Sequence, residues 1–389
     1  MRIGPPSVVQ RDGRQVLEAA VSLQSDIVDY PPTIWFSSDR EARCFLPELS
    51  DAFLVGLIAS AMYLREDIHV EGAVSTRLAH GLETYQQALS TWWPGIFNRV
   101  EIHYGSLMNR RNDPRPSGMG CTFSGGLDSF HAVHQLLPER VKYEGFSITH
   151  ALMINGFDQF YDPKRLGLAQ NMYNHYQPLL KAWGVDLLML DTNLKAFRNV
   201  TLKRPEQVHS YSSSLAACAH ALGGIFGRFG ISGHATYAYN QLEPDGSHPA
   251  TDPLLSSDQL QVIHTGTNHS RSRKTELLAD DPQVRQGLRV CFGAIEFDPA
   301  SGMPMNCCMC EKCVRTISAL IIIDKLDAFP TFGRRRYRKY AYRNPDILRV
   351  IDDHHLKDMA ELARRHEQSD WVQALEQARA LKRAAKGQT

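Results

Sequence analysis

The chain has 389 residues, more than one ordinary domain needs to bury a core. Its 43 lysines and arginines are balanced by 42 acidic residues, which excludes a global field of the kind that draws a protein to nucleic acid or a membrane surface. Met1-Arg2-Ile3-Gly4-Pro5-Pro6 has no signal-peptide core behind it, and the longest apolar stretches, 53–62 and 317–323, are too short to span a bilayer, so a soluble cytoplasmic protein is expected.

Residues 1–115 read as an α+β region, with strand patterning at 18–23 and 33–36. Ser50 precedes an apolar helical run (Phe53, Leu54, Leu57, Ile58, Ala61, Met62) and is expected to cap it. Ser75 is expected to do the same for a second run (Leu78, Leu82, Tyr85, Leu89), which Trp92-Trp93-Pro94 ends. Residues 100–104 alternate as a strand does, and the polar stretch 109–120 reads as a linker. From Gly120 the pattern changes to strands at 121–123, 148–154, 186–191 and 229–233, alternating with helices at 128–137, 163–183 and 207–228. Such alternation predicts an α/β fold whose parallel sheet is covered by helices, with ligands at the C-terminal strand ends. This domain is expected over 116–330, with a loop-rich part at 234–306 and a helix at 307–325. Residues 331–389 form a helical tail by the spacing of Ile347, Val350, Ile351, Met359, Leu362, Trp371, Leu375 and Ala378.

Between the first of those strands and its helix lies Ser124-Gly125-Gly126-Leu127-Asp128-Ser129. Two adjacent glycines allow backbone conformations closed to other residues and bring several N–H groups near one ligand. The helix that follows adds its unpaired N–H groups and positive dipole end. Ser124 and Ser129 can donate to phosphate oxygens, and Asp128 can hold a magnesium ion or cap the helix. Neither G-x-x-x-x-G-K-[ST] nor G-x-G-x-x-G after a strand is present.

Of the eight cysteines, Cys44, Cys121 and Cys218 lie in apolar segments and read as inert buried thiols. The other five fall between 291 and 313. Cys307, Cys310 and Cys313 are evenly spaced and can converge on one ion, and Cys291 completes a tetrahedron, as in a closed structural zinc site. Cys308 reads as a neighbour, although exchanging it for Cys307 is a second arrangement. An iron–sulfur cluster uses the same kind of cysteine run and stays open at this point.

The six-residue loop resembles the pyrophosphate loop of the PP-loop ATP pyrophosphatases. Together with the cysteine run, it resembles the 7-cyano-7-deazaguanine synthases in particular. The resemblance spans 118–325 and leaves out the first 115 residues and the tail. It implies ATP-dependent adenylation of 7-carboxy-7-deazaguanine, with loss of pyrophosphate and passage through an amide to a nitrile, using ATP, Mg2+ and Zn2+. It implies nucleotide contacts from Ser124, Gly125, Gly126, Leu127, Asp128, Ser129, Met153 and Gly156, and catalytic roles for Asp128, Ser129, Lys274 and Arg271. Gly156-Phe157-Asp158-Gln159 is similar to the tip that faces adenine. Cys291, Cys307, Cys310 and Cys313 match the zinc ligands, with Cys291 at a longer spacing than the synthases usually show. Asp252 and Arg271 are similar to features of larger synthase-like proteins. Such proteins, with extra domains, occur in bacterial antiviral operons, where related enzymes attach a deazaguanine to a partner protein. The implied partners are thus a small deazapurine, an operon-encoded acceptor protein and a second copy of the chain in a homodimer, without membrane or nucleic acid.

A tRNA-modifying PP-loop thiolase is the alternative enzyme, on the strength of Arg334-Arg-Arg-Tyr-Arg338-Lys339-Tyr340-Ala-Tyr342-Arg343, where bases could stack on tyrosine among cations. A non-catalytic ATP-binding module that recruits a partner through 1–115 is a third reading. Among the histidines His234, after a strand, is the best placed near a substrate; it, His248 and His264 read equally well as structural.

Overall fold

The structure is a computed structural model and describes residues 1–157, 166–203, 207–237, 243–291, 293–333 and 339–386. Its strands are β1 (Arg2–Ile3), β2 (Ser7–Arg11), β3 (Arg14–Ser22), β4 (Thr33–Ser38), β5 (Ile68–Ser75), β6 (Ile102–Met108), β7 (Gly118–Thr122), β8 (His150–Asn155), β9 (Asp186–Thr192), β10 (Phe226–Ser232) and β11 (Gln261–Thr265), before a small hairpin at Glu296–Phe297 and Pro304–Met305. Its α-helices are α1 (Asp51–Leu64), α2 (Thr76–Trp92), α3 (Leu127–Gln135), α4 (Leu166–Ala182), α5 (Leu194–Thr201), α6 (Tyr211–Ala221), α7 (Arg271–Leu278), α8 (Pro282–Gly287), α9 (Glu311–Ile322), α10 (Pro345–Leu348), α11 (Asp353–Arg365) and α12 (Ser369–Lys386).

The fold is α/β, built on one large, mostly parallel sheet flanked by helices. Its order is β11-β10-β7-β8-β9-β4-β3-β1-β5-β6, with β2 also paired to β3. The half from β11 to β9 is parallel throughout. That is the alternating pattern expected from residue 120 onward, with helices as crossovers. The first 108 residues extend this same sheet, because β4 pairs antiparallel with β9 through Phe36↔Thr192 and Ser37↔Asp191. Side chains reinforce that short seam. Arg14 pairs with Asp191 at 3.0 Å, the Thr192 hydroxyl donates to Trp35 O at 2.8 Å, and the Asn193 amide donates to Thr33 O at 2.8 Å.

Helix α1 is buried on all sides from Asp51 to Met62, so it runs through a core rather than along a surface. Gly56 permits this: a Cβ there would lie 3.0 Å from Leu194 and 3.2 Å from Ala217. This core is shared between the N-terminal region and β8 to β11, while a second one joins α3, α4, α9 and the C-terminal helices. Cys121 and Cys218 are buried as expected, and burial pushes the Cys121 thiol up to about 12; Cys44 is only half-buried.

Several expectations need correction. Ser50 and Ser75 do occupy helix N-cap positions, but neither side chain caps. The Ser75 hydroxyl instead donates to Asp51, whose other carboxylate oxygen accepts from the Ser75 N–H at 2.9 Å. The supposed linker ends in strand, since β7 starts at Gly118. A Cβ at Gly120 would sit 2.6 Å from the Phe226 ring, so this glycine makes room for the β10 aromatics. The helix expected over 207–228 is a 3-10 turn at Val208–Ser210 followed by α6, because a turn ends it before β10 begins at Phe226. The stretch 234–306 also hides the edge strand β11. The β2–β3 hairpin was missed although Asp12 and Gly13, at φ 51° and 74°, are the residues a two-residue hairpin turn favours. Among the described residues no helix is long and apolar enough to cross a membrane.

Candidate functional site

Strand β7 feeds the loop 124–129 into α3, at the C-terminal edge of the parallel half-sheet. The loop is braced from inside. Ser129 donates to Gly126 O at 2.9 Å and accepts from the Ser124 N–H at 3.2 Å. From outside, the Arg289 N–H donates to Gly125 O at 2.9 Å. Gly125 has φ +73°, and a Cβ there would lie 2.0 Å from the Tyr176 hydroxyl oxygen, which donates to Gly287 O at 3.0 Å. Gly125→Ala therefore combines left-handed strain of about 1–2 kcal/mol with a clash against a fixed ring. It is expected to lower the unfolding free energy by at least that amount in urea titration; unchanged stability would show that the Tyr176 ring gives way without cost.

Asp128 lies in the first turn of α3 and does not cap it. Its Oδ1 accepts from the Lys274 ammonium at 2.8 Å, and its Oδ2 from Arg271 at 3.0 and 3.2 Å. Burial alone would raise this carboxyl, but Arg271 and Lys274 outweigh it and hold Asp128 well below the usual carboxylate range. Lys274 is fully buried and also donates to Gly233 O at 2.7 Å. For it the desolvation dominates and lowers its pKa despite the nearby carboxylate. Helix α7, which carries both cations, is seated by the tail: Asp358 of α11 accepts from the Ser270 hydroxyl and from the Ser272 N–H at 3.0 Å. His355 of the same helix lies 3.2 Å from Arg271.

A cavity of about 520 Å³ opens on one side of the loop, walled by Ser124, Asp128 and Ser129, by Leu152 and Ile154 of β8, and by Tyr211 of α6. A smaller pocket of about 130 Å³ lies on the other side, where Arg271, Arg289, Lys312 and Arg315 face the same loop. Arg315 is pushed down to about 10 by burial and by the like charge of Arg271, while Glu311, at 2.6 Å, supports its charge. Arg289 is held by the backbone carbonyls of Cys291, Gly293 and Ala294. This second pocket therefore concentrates positive charge beside a glycine turn and a helix N-terminus, the physical requirements of a phosphate site.

Cys291, Cys307, Cys310 and Cys313 come together with their sulfurs all within 4.8 Å of one another. Cys307 and Cys313 are 3.8 Å apart and Cys310 and Cys291 are 4.0 Å apart. A tetrahedral ion with metal–sulfur bonds of about 2.3 Å requires edges of roughly 3.8 Å. N–H groups of Gly293, Met309 and Cys310 point at the Cys291 and Cys307 sulfurs at 3.1 to 3.5 Å, as thiolate ligands require. The set can bind a metal such as zinc. Cys308, with φ 61°, turns its thiol away to donate to Asn306 O at 3.4 Å, so it stands outside the cluster.

The structure thus brings the loop, Arg271 and Lys274 together, and sets the four-cysteine cluster against the smaller pocket through Cys291. It does not bring the Met153 side chain to the wall of the larger cavity. Met153 packs in the second core, and its neighbours Leu152 and Ile154 line the cavity, as strand alternation dictates. Gly156 ends this strand region at φ +119°, and Phe157 reaches the cavity, while Asp158 and Gln159 lie outside the described residues. Asp252 is fully buried and closes its own loop by accepting from Ser247 at 2.6 Å and from His264 at 2.8 Å. His234 pairs with Asp245 at 2.9 Å and contacts the Tyr211 hydroxyl at 3.2 Å. Of the basic run, 334–338 lie outside the described residues, while Lys339 and Arg343 pair with Asp327 and Asp370.

Arg289, Lys312, Arg315, Lys195, Arg198 and Tyr211 line these two spaces without having been singled out from sequence. Only Lys312 carried a signal, as a cation inside the cysteine run at a helix start. Comparison with protein-family models, with curated proteins and with solved structures finds no match.

Proposed function

We propose that this chain is an ATP-dependent ligase of the PP-loop kind that adenylates a carboxylate, with 7-carboxy-7-deazaguanine as the substrate, and passes the acyl group to an amine. The observation that carries the reading is the position of the loop 124–129, which stands between a roomy, largely apolar cavity and a small cation-lined pocket. In this arrangement the α-phosphate lies at the loop, the β- and γ-phosphates occupy the smaller pocket, and the base and the substrate share the larger one.

A carboxylate and a phosphate repel each other, so the site must offset charge as the bond forms. The carboxylate oxygen bonds to the α-phosphorus while the α–β bridging bond breaks, and Arg271, Arg289, Lys312 and Arg315 receive the charge that moves onto pyrophosphate. Asp128 serves here as the anchor that holds Lys274 and Arg271 in place. Both of its oxygens are already paired with cations, which does not favour the magnesium role expected of it. Magnesium is assigned to the nucleotide's own phosphates, where it commonly binds with few protein ligands. An amine then attacks the acyl carbon, forming a C–N bond as AMP leaves. Ammonia and the amino group of an operon-encoded protein are the two acceptors this chemistry admits.

Incubation with ATP and 7-carboxy-7-deazaguanine, read by chromatography and mass spectrometry, is expected to show AMP and pyrophosphate in equal amounts. Release of ADP and phosphate, or no nucleotide turnover with any deazapurine or neighbouring gene product, would overturn the proposal.

A further inference from the structure

Helix α5 carries two cations one turn apart, Lys195 and Arg198, and both line the larger cavity. Arg198 is only 4 % exposed. One terminal nitrogen donates to Ser210 O at 3.2 Å and the other to Ser210 Oγ at 2.6 Å. Among the described residues no carboxylate lies within ion-pair distance of it.

Arg198 and Arg315 are the two most buried arginines among the described residues, and Arg315 has its acid in Glu311. Buried charges are ordinarily paired, because taking a guanidinium out of water without a counter-charge is strongly unfavourable. One serine does not supply that charge. A neutral donor would hold the Ser210 turn without the penalty, and among the described residues no acid accounts for the charge. Burial lowers Arg198 only to about 10, which keeps it a cation at neutral pH. The nearby cavity wall is apolar, with Leu152, Ile154, Phe157 and Leu215 suited to a planar ring.

We propose that Arg198 is the specificity-determining residue of the larger cavity, and that it reads the negative charge of a planar aromatic carboxylate and rejects the matching neutral amide. This rests on the adenylation reading above and names what that site selects. A planar fork matches a carboxylate bidentately, which lysine cannot reproduce.

Calorimetry on the full chain with 7-carboxy-7-deazaguanine, indole-3-carboxylate and the carboxamide of each tests this. The wild type is expected to bind acid over amide by roughly 10- to 100-fold, the worth of a charge-assisted pair. Arg198→Gln is expected to erase that preference while ATP affinity stays the same, and Arg198→Lys to keep only part of it. A wild type without the preference, or an Arg198→Gln protein that retains it, overturns the proposal. Should Arg198→Gln not fold, an undiminished preference in Arg198→Lys overturns it equally. Failure of the adenylation reading shows separately, as an acid preference that follows Arg198 in a protein that releases no pyrophosphate.

Discussion

Asp128→Asn is expected to lower pyrophosphate release by about 10³-fold and to destabilise the fold by about 3–5 kcal/mol. Lys274 is fully buried, and Asp128 is the carboxylate that pairs with it. Removing the negative charge leaves an ammonium and the Arg271 guanidinium facing each other without an anion between them. Breaking one partner of a buried pair costs far more than the pair itself is worth. The asparagine can still accept one hydrogen bond, which keeps the shape and isolates the charge.

The pH dependence gives the same account an independent sign. The folded-state pKa of Asp128 is depressed, so its contribution is present above the unfolded value of about 3.9 and is lost as pH falls through the lower folded value. Urea unfolding of wild type and variant is expected to differ most near neutral pH and to converge in acid below about pH 4. A constant gap down to strong acid would show that Asp128 does not stabilise through its charge.

Loss of the metal is expected to have the second large effect. The cysteine cluster joins the segment after Arg289 to the start of α9, and Lys312 and Arg315 lie within and just beyond it. Closed four-cysteine sites contribute roughly 10–16 kcal/mol of binding energy in small domains, and part of that is expected to act as folding energy in this chain. Cys310→Ser, or a strong chelator, is expected to release the ion and lower the thermal midpoint. Pyrophosphate release should fall with it, because the pocket's cations lose their footing. Cys308→Ser should keep one metal per chain and near wild-type stability. Elemental analysis of the three proteins decides this: a colourless protein with one zinc agrees, whereas a brown one with iron and sulfide assigns the cysteines to a cluster instead. Metal loss without any change in midpoint or activity would remove the structural role.

Local patterns exposed much of the parallel half. Leu152 and Leu187–Leu188 sit in strand runs, and the helical spacing after Asp128 marks α3, because period and glycine punctuation act within a few residues. The same locality blurred the start of β10, read at 229 rather than Phe226, and hid β11. Apolar residues flank the turn on both sides, so the change from α6 to β10 is marked by Gly223-Gly224 rather than by periodicity. Ser50 and Ser75 show the other failure. Their cap positions were legible, but a distant carboxylate, Asp51, claimed the Ser75 hydroxyl.

By itself the sequence determined the glycine loop between strand and helix and a cysteine set able to bind a metal, because both depend on residues close in the chain. Tertiary structure alone decided which cations face that loop. Arg271, Arg289 and the α9 pair Lys312 and Arg315 come from three segments, and Asp128 meets Lys274 across 146 positions. It also decided that β4 would continue the sheet beyond β9, and that Arg198 would be buried without an acid among the described residues. Such pairings are set by packing between distant elements, where burial and charge are settled only once the whole sheet is in place.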